Sequence, residues 1–301
     1  MSIPLAYAGV ILIWSTTPLA IQWSGQEAGF LFGITSRMLL GVLAGLTVAL
    51  VAGIRLPWHA AARRTYLAAG LGMFLAMLSV YWASQYIPSG WISVLFGIAP
   101  IVTGIMASIW LDEQALIPTR IAGMLLGIAG LAIMLLGAQS LGTAAPLGIA
   151  GMLFSVTAYS ASAVAVKRIG AEIPALATTI GGLAVTVPLL LGVYYVTDTP
   201  LPHAISARTA GSIVYLGIVG SVLGFAMYYY VLRHVQATRV ALITLVTPVM
   251  ALVLGHLLNG EPLQPEVWAG TAAILSGLLL FEYGQNIIVW LGRLFAMTTL
   301  E

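Results

Sequence analysis

Cysteine is absent from the chain. That excludes disulfides, thiolate metal centres and cysteine nucleophiles. Charge is scarce as well. Asp, Glu, Lys and Arg make up 7% of the 301 residues, where a soluble domain carries about 25%. With 60% of residues hydrophobic and a mean hydropathy of +1.05, the chain cannot cover itself in water, so it reads as one integral membrane domain. The net charge of +2 comes from scattered basic residues, which leaves no patch for nucleic acid. There is no His-Glu-x-x-His and no phosphate-cradling Gly-Lys-Thr. A membrane-embedded enzyme needs a nucleophile, paired carboxylates or a metal cluster, and none of these is legible. A scaffold or receptor is the other alternative, and it lacks an extramembrane domain for partners. No cofactor and no metal are expected, and the partners expected are a small solute and the lipid bilayer, with the chain acting as a monomer.

What is present is a set of long apolar runs. A spanning helix needs about 20 mostly apolar residues. Ten stretches qualify, at about 4–22, 30–52, 66–85, 89–111, 118–137, 146–166, 173–196, 209–232, 237–258 and 265–284. The first has no basic segment before it and reads as a retained helix rather than a cleaved leader. The expected fold is all-α, since an isolated strand leaves backbone groups unpaired in lipid. Orientation follows from Lys and Arg near the span ends. With the N-terminus in the cytoplasm, Arg55, Arg63, Arg64, Arg120, Lys167, Arg168, Arg233, Arg239 and Arg293 fall inside, and Arg208 alone falls outside. Both termini are then cytoplasmic, in an inner (plasma) membrane.

The chain also repeats itself. Tyr81, Pro100 and Glu113 recur 148 residues later as Tyr229, Pro248 and Glu261. Pro118, Ala122, Gly123 and Gly130 recur 147 residues later as Pro265, Ala269, Gly270 and Gly277. A repeat of half the chain in an apolar protein points to a transporter built from two halves. Ten spans divide into half-repeats at residues 1–137 and 146–284. An odd number of spans per half turns the second half over, which gives a five-plus-five inverted repeat.

The recurring order of a mid-helix proline, a glutamate after the helix and a Gly-studded helix resembles the EamA-type branch of the drug/metabolite transporter superfamily. In this sequence it reads Pro100, Glu113, Gly123, Gly127, Gly130 and again Pro248, Glu261, Gly270, Gly277. Trp14-Ser15 and Arg37 are similar to that family too. Within it the chain resembles the YddG exporters, a likeness that implies aromatic amino acids and flat cationic drugs such as methyl viologen as solutes. It also implies a central cavity lined by helices three, four, eight and nine.

The residues then sort by what they could do there. Trp14, Tyr81, Trp91, Phe96, Tyr159 and Tyr228 offer rings on which a flat solute could stack, and Thr244 a hydroxyl. Pro100 and Pro248 are repeat-equivalent, and each removes a helix hydrogen bond near mid-span, so they are the expected hinges. Pro18 and Pro188 also lie mid-span, with packing and function equally open. Arg37 is the one cation deep within a span. It either snorkels toward headgroups beside Glu27 or faces a wet cavity and meets a carboxylate. No Asp or Glu lies near the middle of any span. Proton relays in membranes are built from such groups, so transport without strict proton coupling is expected. The expected activity is alternating-access export of small amphipathic metabolites, most of all aromatic or other apolar amino acids.

Overall fold

The computed structural model describes residues 2–111, 117–137, 142–241, 243 and 247–298. Among them every regular element is helical. In chain order these are α1 (Ile3–Gly25), α2 (Phe30–Val51), α3 (Ala60–Ala83), α4 (Ser89–Phe96), α5 (Ala99–Trp110), α6 (Pro118–Gly137), α7 (Ala145–Ile169), α8 (Ala175–Val196) and α9 (Ala207–Tyr215). A π-helical segment, Leu216–Gly224, follows, and then α10 (Phe225–His234), α11 (Ala237–Ala241), α12 (Thr247–Asn259) and α13 (Pro265–Thr298).

Seven helical stretches among the described residues are long and apolar enough to cross a bilayer, two of which join α4 to α5 and α9 to α10. Three shorter apolar helices, Pro118–Ile133, Thr247–Asn259 and Pro265–Phe281, lie where the other expected spans begin or run. Leu12, Leu43, Leu125, Ile128, Leu147 and Phe154 stay exposed on the outside of the bundle, a surface that water would not tolerate and lipid would.

Two helix starts matter for the interior. The fourth stretch is interrupted at Gly97 and Ile98, and Pro100 is the second residue of the new helix α5. Pro248 is likewise the second residue of α12. In a first helical turn the missing N–H of proline would have no partner anyway. Pro100 therefore starts a helix after a break rather than kinking a continuous one, as its mid-span position had implied. Pro248 lies in the first turn of α12, and residues 244–246 before it are outside the described residues. Pro18 and Pro188, by contrast, do sit inside continuous helices.

The repeated glycines explain how the two halves meet. A Cβ on Gly123 would lie 2.4 Å from the carbonyl oxygen of Gly277, and one on Gly130 would lie 2.7 Å from that of Gly270. Nothing larger than glycine fits either approach. Exchanging each glycine for its repeat partner turns one contact into the other, so α6 and α13 cross antiparallel about a local two-fold axis.

Hydrogen bonds tie the two ends of the bundle differently. At one end the buried carboxylate of Glu261 accepts from Ser89 N (3.1 Å), Ser89 Oγ (2.6 Å) and Gly90 N (3.1 Å), capping the N-terminus of α4. An anion at a helix start also meets the positive end of the helix dipole. Asn259 links this group to α1 by donating to Gln22 and accepting from the Trp23 indole. At the same end Glu27 accepts from Ser206 N and Thr209 Oγ1 at the start of α9, and the Ser206 contacts hold its carboxyl below the usual carboxylate range. At the opposite end Lys167 Nζ donates to the carbonyls of Leu232 (2.8 Å), Val235 (2.7 Å) and Arg233 (3.4 Å), joining α7 to the last turn of α10.

Candidate functional site

Four of the expected rings come together at mid-bundle. Trp14 of α1 lies 5.3 Å from Tyr228 of α10 and 5.9 Å from Tyr159 of α7, centroid to centroid. Tyr159 is 5.5 Å from Tyr228 and 5.7 Å from Phe96 of α4, the latter edge to face. These separations fall within the range in which rings attract one another. Together they form a layer of rings in the interior.

A cavity of about 70 Å³ rests on that layer. Its wall comes from one face of each helix: Trp14, Thr17, Pro18 and Ile21 from α1, Arg37 from α2, Met77 and Val80 from α3, and Ile92, Ser93 and Phe96 from α4. Tyr159, Phe225 and Thr247 complete it. The α1 spacing of three, one and three residues is that of a single helical stripe. Sites that enclose drug-sized ligands measure about 300–1,000 Å³, so a solute entering this one must spread the rings.

Arg37 carries the only charge among the described residues of this wall. It is 2% exposed. Its Nε donates to Ser221 Oγ at 3.0 Å, while Nη1 is buried without a hydrogen-bond partner among the described residues. Burying a cation without a counter-charge is expensive. Of the two readings left open for Arg37, the one beside Glu27 is not the arrangement seen: Glu27 is engaged by α9 and Arg37 lines the cavity. Ser221 sits in the π segment, whose sequence LGIVGSVLG is rich in glycine. A Cβ on Gly217 would lie 3.2 Å from the Arg37 carbonyl oxygen. The bare backbone lets α2 come this close and places Ser221 under the guanidinium. Wide π turns inside longer helices are often found at functional sites.

The other expected residues lie elsewhere. Tyr81 and Trp91 are fully packed in the helix core and do not reach the cavity wall. Tyr81 Oη accepts from Ser24 Oγ at 3.3 Å. Pro100 and Pro248 are buried beside the site without lining it. Thr244 and Glu113 lie outside the described residues. Pro18, Met77, Val80, Ile92, Ser93 and Phe225 were not expected on the wall. Pro18 was marked only as a mid-span proline, Ile92 and Ser93 are at helical spacing from Phe96 and Phe225 from Tyr228, and spacing alone does not tell an inner face from a lipid face.

The EamA-like transporter family matches residues 1–136 and 146–283, one copy for each half. The chain belongs to that family. It is a membrane transporter. Among similar curated proteins is a probable terminal-alkyne amino-acid exporter of Streptantibioticus cattleyicolor, 28% identical over 72% of this chain and 71% of that protein. An uncharacterized transporter of Archaeoglobus fulgidus is 26% identical over 65% of this chain and 68% of its own length. The uncharacterized inner membrane transporter YedA of Escherichia coli is 25% identical over 73% and 69%. A protein of known crystal structure superposes with a TM-score of 0.70 at 19% identity, covering 94% of this chain and 98% of its own, which speaks for the fold alone. These relatives carry the family and the transport activity. They do not carry the narrower likeness to the YddG exporters.

Proposed function

We propose that the chain is a secondary transporter that exports small amphipathic metabolites bearing a carboxylate, foremost aromatic or other apolar amino acids. The observation that carries this reading is the buried Arg37, with an unpaired N–H at the wall of an aromatic-floored cavity. The path runs through ten spans arranged as a five-plus-five inverted repeat in the inner membrane, with both termini cytoplasmic and one copy of the chain sufficing. The family match to each half and the reciprocal glycine crossing of α6 and α13 support the repeat. Pro100 and Pro248 each lie in the first turn of a helix, α5 and α12, and are the places for a hinge in alternating access. The kinship with an amino-acid exporter supports the solute class.

Flat cationic drugs fit less well. A cation held about 6 Å from Arg37 meets a repulsion of about 3 kcal/mol at an effective dielectric near 20. Stacking on the rings returns about 0.5–2 kcal/mol. No acidic group among the described residues of the wall offsets the difference.

The test is purified protein in liposomes, challenged with neutral amino acids and cationic dyes, with and without a pH gradient. Saturable flux of an aromatic amino acid that persists without the gradient is the expected result. Concentrative flux that appears only with an imposed pH gradient would reverse the coupling assignment, and preferential flux of the dyes would reverse the solute assignment.

A further inference from the structure

We propose that the backbone carbonyl of Trp14, left without its helical partner by Pro18, receives the α-ammonium of the solute while Arg37 receives the carboxylate, so that the site reads an amino-acid zwitterion. This rests on the transport reading above and assigns the second half of the recognition. In an α-helix the carbonyl of residue i accepts from the N–H four residues on. For Trp14 that residue is Pro18, which has no N–H. Three hydroxyls stand close by on α1, and none of them covers the gap. Ser15 Oγ donates to Ile11 O at 2.7 Å, and Thr16 and Thr17 donate to Ile13 O at 2.9 and 2.8 Å. Trp14, Pro18 and Ile21 share the helical stripe that lines the cavity, so the freed carbonyl opens on the same space as the Arg37 guanidinium.

The rest of the wall shows what the ammonium can use. Among the described residues it holds no carboxylate and no carboxamide, and its other neutral oxygens are the hydroxyls of Thr17, Ser93, Tyr159 and Thr247, so a bound zwitterion must satisfy its ammonium on neutral oxygens. A carbonyl at a proline-broken turn in a cavity is such an acceptor, and a backbone group in lipid is left open only where it faces a cavity or a partner. Pro188 in α8 provides the internal contrast. It is also inside a continuous helix but is absent from the cavity wall.

The experiment compares phenylalanine, 3-phenylpropionate (no ammonium) and phenylalanine amide (no carboxylate) as competitors of labelled phenylalanine in liposomes. The proteins compared are wild type, Pro18→Ala and Pro188→Ala. Alanine restores an N–H in mid-helix and favours the helix, and a melting measurement on each variant confirms its fold. Wild type should prefer phenylalanine to both analogues. Pro18→Ala should weaken phenylalanine on the order of tenfold, toward the level of 3-phenylpropionate, and leave 3-phenylpropionate itself unchanged. Pro188→Ala should leave the ranking as in wild type. Unchanged preference in Pro18→Ala overturns the proposal. So does an equal loss for all three compounds, which would give Pro18 a role in helix shape alone. A wild type that neither moves nor binds any of the three overturns the amino-acid reading beneath it, a result distinct from a ranking that fails to shift.

Discussion

Lys167 and Arg37 are both drawn into the bundle, and they are treated in opposite ways. Lys167 closes the last turn of α7 onto the last turn of α10, where three carbonyls converge on its ammonium. Those carbonyls are the orphan acceptors of a helix end, and a cation there also meets the negative end of the helix dipole. Arg37 sits deeper, meets one serine hydroxyl, and keeps a buried N–H unpaired at a cavity wall. The first cation is consumed by the fold. The second is held in a fold that does not use it up, which is the arrangement expected where a ligand supplies the missing partner.

The sharpest way to break this comparison is Arg37→Met. Removing a buried charge with no counter-ion relieves a desolvation cost, so thermal stability should stay level or rise. Transport of a carboxylate-bearing amino acid should fall at least tenfold, because hydrogen bonds to a charged group contribute about 1.5–3 kcal/mol. Phenylalanine amide should be much less affected. Melting in detergent and liposome flux read the two effects separately, and a variant that is destabilised but retains flux would make Arg37 structural like Lys167.

Lys167→Met is the converse. Methionine keeps the apolar stem and removes the donor. Unfolding should become easier by about 2–3 kcal/mol, since two close carbonyls lose a charged partner at a half-buried helix end. The preference among solutes should not move, because Lys167 is absent from the cavity wall. A changed ranking of amino acid against amide would mean that this end of the bundle senses the solute.

The same contrast shows what the sequence reveals and where it stops. Arg37 was legible because one cation deep in an apolar run is conspicuous by composition, whatever surrounds it. Seven helices of spanning length were legible from run length, and the match of one family to each half from fixed offsets, since both are one-dimensional signals. Trp14, Phe96, Tyr159 and Tyr228 meet in one ring cluster, yet Tyr81 and Trp91 carry the same chemistry and are buried in packing. The difference lies in helix rotation, which a helix apolar on all sides does not encode. Pro18 looked no more special than Pro188 for the same reason. The π segment was hidden too, because its extra residue per turn is a compromise between Gly217, Ser221 and the facing α2 rather than a local preference.

The smallest expected effect belongs to Ser221→Ala, which tests whether the serine holds Arg37 in place. The serine contributes one hydrogen bond, worth about 1 kcal/mol net. Alanine keeps the Cβ that a side chain on Gly41 would meet at 3.0 Å, so the α2 packing is undisturbed. The guanidinium then loses its fixed orientation without losing its charge. Apparent affinity for an amino acid should drop about threefold to fivefold, with maximal flux nearly unchanged and the amide unaffected. The decisive measurement is the double variant with Arg37→Met. If Ser221 acts through Arg37, the pair should be no worse than Arg37→Met alone, because neighbours in one network do not add. Additive losses would mean that Ser221 touches the solute or shapes the π segment on its own account, and Arg37 would then owe its orientation to packing against the glycines of that segment.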